Sequence, residues 1–264
     1  MLELIRLNKT FNPGTVNENH AIKDLSLTVN DGDYISVIGG NGAGKSTILN
    51  LISGGLIPDS GKVVFDGTDV THMAEHTRAK YIGRVFQDPM MGTAADMIIE
   101  ENLALAYRRG KRKRLRWYIT SQERQNYRDM LSKLDLGLED RLETKIGLLS
   151  GGQRQAVTLL MATINDPALL LLDEHTAALD PKTAEKVMQL SNEIISEKHL
   201  TTLMVTHNMR DAITYGNRLI MLDKGRIVLD ITGEEKQKLT VNELIDRFSS
   251  ASGGELSDDA LLLG

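Results

Sequence analysis

No cysteine occurs in the 264 residues, which excludes disulfides and thiolate metal sites and is compatible with a reducing compartment. No stretch approaches 18 consecutive apolar residues, and Glu3, Arg6 and Lys9 interrupt the start of the chain. Neither a membrane-spanning helix nor an export signal is therefore expected. An excess of positive charge is also missing. The net charge of −5 argues against a general nucleic-acid binder, although one local basic stretch exists. There is no internal repeat. With 41% hydrophobic residues the chain can bury a full core, as one large domain or one domain with a sizeable insertion.

What the chain does have is Gly39-Gly40-Asn41-Gly42-Ala43-Gly44-Lys45-Ser46-Thr47, which fits the phosphate-binding pattern G-x-x-x-x-G-K-[ST]. An apolar, strand-like run over residues 34–38 precedes it and a helix-like run over 47–52 follows, which is the context the pattern requires. Glycines let the backbone turn tightly and aim successive N–H groups at phosphate oxygens, while the helix adds its positive end. Lys45 is expected against the β- and γ-phosphates as a point charge, and the Ser46 hydroxyl on a Mg²⁺ ion.

Taken in order, residues 2–7 and 25–29 alternate as strands do, on either side of a loop containing Asn12-Pro13-Gly14. Further strands are predicted over 62–65, 81–86, 168–172 and 201–206. The pair 219–222 and 227–229 is joined by Asp223-Lys224-Gly225-Arg226, a connection that suits a hairpin. Between about 93 and 165 Ala, Leu, Met, Glu and Arg dominate, which predicts a helical subdomain, and residues 181–198 read as one further helix. Thr240 and Glu243 have the capping-box spacing, so a short helix is expected there, and the Ser- and Gly-rich tail from Ser249 is expected to be mobile. The alternation of periods predicts an α/β core over 1–92 and 166–235, with the inserted helical subdomain over 93–165 and a C-terminal helix and tail over 236–264; together with the phosphate-binding pattern this resembles a P-loop NTPase core with a mixed sheet.

The apolar run 169–172 ends in Asp173 and Glu174. In an open parallel sheet ligands collect at the carboxyl ends of strands, so Asp173 is a candidate for the metal and Glu174 for accepting a proton from an attacking water. About twenty residues earlier stands Leu149-Ser150-Gly151-Gly152-Gln153, opening a helix-like segment with a hydroxyl and unobstructed N–H groups that suit an anion. With the phosphate loop and the carboxylate pair in this order, the pentapeptide resembles the signature of the ATP-binding cassette (ABC) ATPases.

The resemblance covers nearly the whole chain apart from the tail. It implies that Phe11 stacks on adenine, that Gln87 joins core to helical subdomain and senses Mg²⁺ and the transporter, and that His207 contacts the γ-phosphate. It implies further that Ala178-Leu179-Asp180 crosses a dimer interface. Three positions depart from the family pattern. Gly40 replaces proline or serine, His175 the proline that follows the catalytic glutamate, and Met161 an arginine of the signature helix. None of them removes a group that the chemistry needs.

The stretch Arg108-Arg109-Gly110-Lys111-Arg112-Lys113-Arg114-Leu115-Arg116-Trp117 carries seven positive charges. It reads as a solvated face, as a segment drawn to an anionic membrane surface, or as a nucleic-acid contact. The resemblance implies an ATPase that uses ATP and Mg²⁺. Each of its sites would combine Lys45, Ser46, Gln87, Asp173, Glu174 and His207 of one chain with Ser150, Gly151, Gly152 and Gln153 of a second copy. It also implies a separate transmembrane permease, with a substrate-binding protein, and a cytoplasmic location on the inner face of the cell membrane. The single cassette without a fused membrane or large regulatory domain resembles bacterial importers of amino acids or similar small solutes. The rival readings are a soluble ABC-type ATPase in assembly or nucleic-acid work, and a non-catalytic nucleotide-binding regulator; Lys45 and Glu174 speak against the second.

Overall fold

The computed structural model describes residues 1–111 and 119–251. The chain parts into two compact units, one formed by Met1–Arg78 with the chain from Leu200 onward, the other by Ala79–His199. Most of the basic stretch, from Arg112 to Trp117, lies outside the described residues.

The first unit holds an antiparallel sheet in the order β2-β1-β4-β5, from β1 (Leu2–Phe11), β2 (Asn19–Val29), β4 (Ser60–Phe65) and β5 (Thr68–Asp69). Leu25, Leu27 and Val29 are buried while Asp24, Ser26 and Thr28 are exposed, the alternation of a strand with one wet face. Both β1 and β2 run beyond the residues that alternation marks. Their register slips at bulges between Leu4 and Thr10, which breaks the period-two pattern while pairing continues to Phe11 opposite Asn19.

β3 (Tyr34–Gly39) runs parallel to both β8 (Thr202–Val205) and β9 (Arg218–Asp223), and β10 (Arg226–Thr232) returns antiparallel on β9. This is the expected mixed arrangement. Flanked on both edges, β3 is buried throughout, so its apolar residues run on instead of alternating. The hairpin turn places both Lys224 and Gly225 at positive φ, as a tight primed turn demands.

The helices of this unit are α1 (Lys45–Ser53), α2 (Glu75–Arg78), α7 (Met209–Thr214), α8 (Gly233–Lys238) and α9 (Val241–Ala251). The predicted capping box opens α9: Thr240 N–H donates to Glu243 Oε2 (2.9 Å), and Glu243 N–H donates to Thr240 Oγ1 (3.3 Å). Leu244 and Phe248 of α9 join Ile38, Met209, Leu219, Met221 and Ile231 in one apolar cluster. Each such side chain contributes roughly 1.5–3 kcal/mol on burial. The expectation that the tail begins at Ser249 is corrected here. The buried Phe248 carries the helix on to Ala251, and Ser249 and Ser250 fold their hydroxyls onto the carbonyls of Ile245 and Asp246.

The second unit pairs β6 (Ile82–Val85) and β7 (Leu169–Asp173) in parallel, with Val85 opposite Leu172. Around them lie α3 (Ile99–Tyr107), α4 (Ser121–Ser132), a single 3₁₀ turn (Ile146–Leu148), α5 (Gly151–Thr163) and α6 (Pro181–Lys198). α6 spans the predicted residues because its ends are chemically marked. Asp180 caps the start, Pro181 takes the first helical position, and His199 at φ 50° closes the end. A fork of two 2.7 Å hydrogen bonds from Arg124 to the buried Glu100 ties α4 to α3. Among the described residues no helix is long and apolar enough to cross a membrane.

Candidate active site

The phosphate loop leaves β3 at Gly39 and enters α1 at Lys45. Gly44 caps the helix at φ 105°, where a side chain would strike the Ala21 carbonyl at 2.7 Å, so glycine is required there on both counts. Lys45 is buried, and its ammonium donates to the carbonyls of Gly39 (2.8 Å) and Gly40 (3.2 Å), which folds the side chain back across the loop. Asn41, Gly42 and Ser46 are exposed, Gly40 and Thr47 half-buried, and Ala43 buried. The hairpin turn braces the loop from outside: Gly225 N–H donates to Ala43 O (3.2 Å), and Lys23 N–H to Gly225 O (2.9 Å). A helix start presented by such a loop is suited to anionic oxygen.

His207 belongs to the same unit. Thr206 N–H donates to Val37 O (3.1 Å), and since β3 and β8 are parallel neighbours the phosphate loop and His207 leave the sheet at one edge. Asn208 caps α7, accepting from the N–H groups of Arg210 (2.9 Å) and Asp211 (3.2 Å). Burial raises the Asp211 carboxyl above its ordinary range, against the opposing influence of His207. Phe11 ends β1, half-buried, with the Lys9 ammonium 5.9 Å from its ring centre.

In the second unit Gln87 and the Asp173-Glu174 pair likewise share an edge, because β6 and β7 run in parallel and in register. Asp173 is buried, Glu174 half-buried and Gln87 exposed. A residue missed in the sequence reading controls this edge. Arg84 donates from Nη2 to Asp173 Oδ2 at 3.1 Å and stacks on the Phe86 ring at 4.5 Å, and Gln155 donates to the Phe86 carbonyl at 3.2 Å. The signal was a lone charge inside the apolar strand Ile82-Gly83-Arg84-Val85, two positions before Phe86 and hence on its face.

Ser150 caps α5 in a reciprocal box with Gln153: Gln153 N–H donates to Ser150 Oγ and Ser150 N–H to Gln153 Oε1, each at 3.3 Å. Gln153 also donates to Leu136 O (3.3 Å). Gly151 is exposed, and Gly152 packs so closely on Thr183 that any side chain would collide. Arg154, also missed, staples the approach by donating to the carbonyls of Ile146, Gly147 and Leu149. A cavity of about 270 Å³ opens beside this helix start, lined by Ser150, Gln153, Lys182, Lys186, Leu134 and Leu190. Asp180 turns out to cap α6, accepting from Thr183 N–H (3.1 Å), and hydrogen bonding to Thr183 lowers its pKa.

Among the described residues no cluster of three or more His, Cys, Asp or Glu forms a cage for a metal ion. Asp173 supplies a buried carboxylate in one unit and Ser46 an exposed hydroxyl at the phosphate loop of the other, and each taken by itself is a donor type that suits Mg²⁺.

Residues 22–177 match the family model described as ABC transporter. Over 251 residues the chain is 45% identical to a tyrosine transport ATP-binding protein of Clostridioides difficile (strain R20291), a likeness covering 95% of this chain and all of that one. A spermidine/putrescine import ATP-binding protein, PotA, of Haemophilus ducreyi is 32% identical across 94% of this chain, which spans 62% of that relative's length. Among solved structures, the ATP-binding cassette MJ0796, dimeric in a post-hydrolysis state with ADP and Pi, superposes with a TM-score of 0.75 at 31% identity. The match covers 88% of this chain and 98% of that one. The chain therefore belongs to the ABC transporter family, as its ATP-hydrolysing subunit with a P-loop NTPase fold.

Proposed function

We propose that this chain works as a head-to-tail pair of copies on the cytoplasmic face of the cell membrane. There it hydrolyses ATP to drive import of an amino acid or a related small solute through a separate permease served by a substrate-binding protein. The observation that carries the hydrolytic part is the phosphate loop with Lys45 folded into it at the start of α1. The full-length likeness to the tyrosine transport relative supports the choice of solute.

In this reading the N–H groups of Gly39, Gly40, Asn41, Gly42, Ala43, Gly44, Lys45, Ser46 and Thr47 bind the phosphates, the Lys45 ammonium neutralises the β- and γ-oxygens, and Phe11 stacks on the base. Ser46, Asp173 and Gln87 would hold Mg²⁺, which when bound supplies charge on the transferring phosphoryl group. Glu174 accepts a proton from the water whose oxygen attacks the γ-phosphorus. The bond to the bridging oxygen breaks, and ADP and inorganic phosphate leave. His207 steadies the γ-phosphate, and Ser150, Gly151, Gly152 and Gln153 of the second copy close the site against water. The stretch 93–165 acts as the signature-bearing subdomain of a core made of 1–92 and 166–235, with 236–264 as the C-terminal appendage.

Glu174→Gln tests the chemistry. Turnover should fall at least about 10²-fold while nucleotide binding survives, because the proton acceptor alone is lost. Uptake of labelled tyrosine, methionine and spermidine into vesicles holding the chain with its permease tests the solute. Hydrolysis that persists with no uptake of any small solute would favour the soluble-assembly reading.

A further inference from the structure

We propose that His175 is a positioning residue for hydrolysis: anchored on Ser191 of α6, it fixes the turn that presents Glu174. The inference rests on Glu174 being the base. Glu174 sits at φ 45°, in the left-handed region that non-glycine residues seldom occupy and keep only where their surroundings impose it. The next residue supplies the constraint. His175 is 2% exposed, in a family position where proline stiffens the same turn, and its Nε2 lies 2.9 Å from Ser191 Oγ.

The direction of that bond follows from its neighbour. Ser191, fully buried, donates its single hydroxyl proton to the Val187 carbonyl at 2.8 Å, and a carbonyl can only accept. Nε2 must therefore carry the hydrogen and donate to Ser191 Oγ, which fixes the tautomer and the ring plane. The acceptor stands on an 18-residue helix closed by Asp180 at one end and His199 at the other. Ahead of that helix Ala177 N–H donates to Glu174 O (3.0 Å) and Leu179 N–H to Thr176 O (3.2 Å), so two hydrogen-bonded turns join Glu174 to the start of α6. One side-chain bond thus ties the backbone beside the reacting carboxylate to the longest described helix of its unit. A proline would restrain one torsion; the histidine restrains the turn against a distant element.

The experiment compares Ser191→Ala, His175→Leu and His175→Gln in the full chain assembled with its permease. Steady-state hydrolysis, binding of a fluorescent ATP analogue and thermal midpoint are measured for each. Ser191→Ala and His175→Leu should lower kcat by about 5–20-fold while nucleotide Kd stays within about twofold, because the carboxylate is misplaced and the phosphate contacts are not. His175→Gln, whose amide N–H reaches a comparable distance, should recover at least about half of the wild-type kcat. Packing alone would lower the thermal midpoint and leave kcat per folded molecule unchanged. The proposal is overturned if both bond-deleting variants, one lacking the acceptor and one the donor, keep wild-type kcat, if nucleotide affinity falls in step with kcat, or if glutamine performs no better than leucine. Should His175→Leu not fold, Ser191→Ala and His175→Gln decide alone. Glu174→Gln in the same assay separates the two readings, since normal turnover in that variant would remove Glu174 as the base whatever the histidine variants do.

Discussion

Replacing Arg78 by methionine should destabilise the nucleotide-free protein by about 3–5 kcal/mol, although Arg78 is none of the candidate site residues. Its side chain is 1% exposed and spends four N–H groups on backbone carbonyls: Met73 (3.0 Å), Leu51 (2.8 Å), Ile52 (2.9 Å) and Thr71 (2.8 Å). Leu51 and Ile52 lie in the last turn of α1, where unsatisfied carbonyls carry the negative end of the helix dipole. Methionine fills much the same volume, but it removes the charge and orphans the four carbonyls, at about 1 kcal/mol or more each. The cost of desolvating the guanidinium is relieved in the same step, which keeps the total below the gross sum. Lysine keeps the charge and reaches fewer acceptors, so Arg78→Lys should lose roughly half as much. Urea unfolding followed by circular dichroism measures both, and added ATP should recover part of each loss by mass action. A methionine variant within about 1 kcal/mol of wild type would refute this account of how the phosphate helix is held at its far end.

Three further expectations follow from the site. Lys45→Ala and Ser150→Arg should each abolish hydrolysis, and mixing the two should restore up to about half the activity per heterodimer, since one composite site is then whole; heterodimers without recovered turnover would count against shared sites. Arg84→Met should tighten Mn²⁺ binding to the nucleotide-loaded protein several-fold, as read by electron paramagnetic resonance, because a cation 3.1 Å from Asp173 is removed; Arg84→Lys should change it little, and equal effects of the two would sink the electrostatic argument. Burial pushes the His175 pKa down to about 4 from an ordinary 6.5, so the unfolded chain binds a proton that the fold refuses. Stability from the neutral ring is complete above about pH 6.5 and is lost as pH falls toward 4, by about 3 kcal/mol in all. The stability gap between wild type and His175→Gln should therefore shrink or reverse on acidification, and a gap independent of pH would contradict it.

Legibility divided along a physical line. The phosphate loop, the 223–226 turn, the Thr240 box and the limits of α6 were readable because each is set by residues within a few positions of one another. Arg78, Arg84 and the His175–Ser191 pair join positions 5 to 89 apart, and no local period encodes such a bond. His175 looked like an uncertain substitution for proline; in the fold it is buried and hydrogen-bonded. α7 and α8, six residues each, are too short to display a helical period, and β1 outran its alternation because bulges interrupt it. Arg154 carried no distinguishing pattern at all, since its three carbonyl partners lie in and just after a single 3₁₀ turn too short to show a period.

The turn behind the phosphate loop gives the protein a natural spectroscopic reporter. Ala43 receives the Gly225 amide and Gly225 receives the Lys23 amide, so one backbone proton of the hairpin turn and one of β2 are wired in series to the phosphate loop. Any shift of Ala43 on binding changes the first bond and loads the second. A change in amide hydrogen exchange at Gly225 and Lys23 on nucleotide binding is therefore the expected sign of loop occupancy, readable without a label.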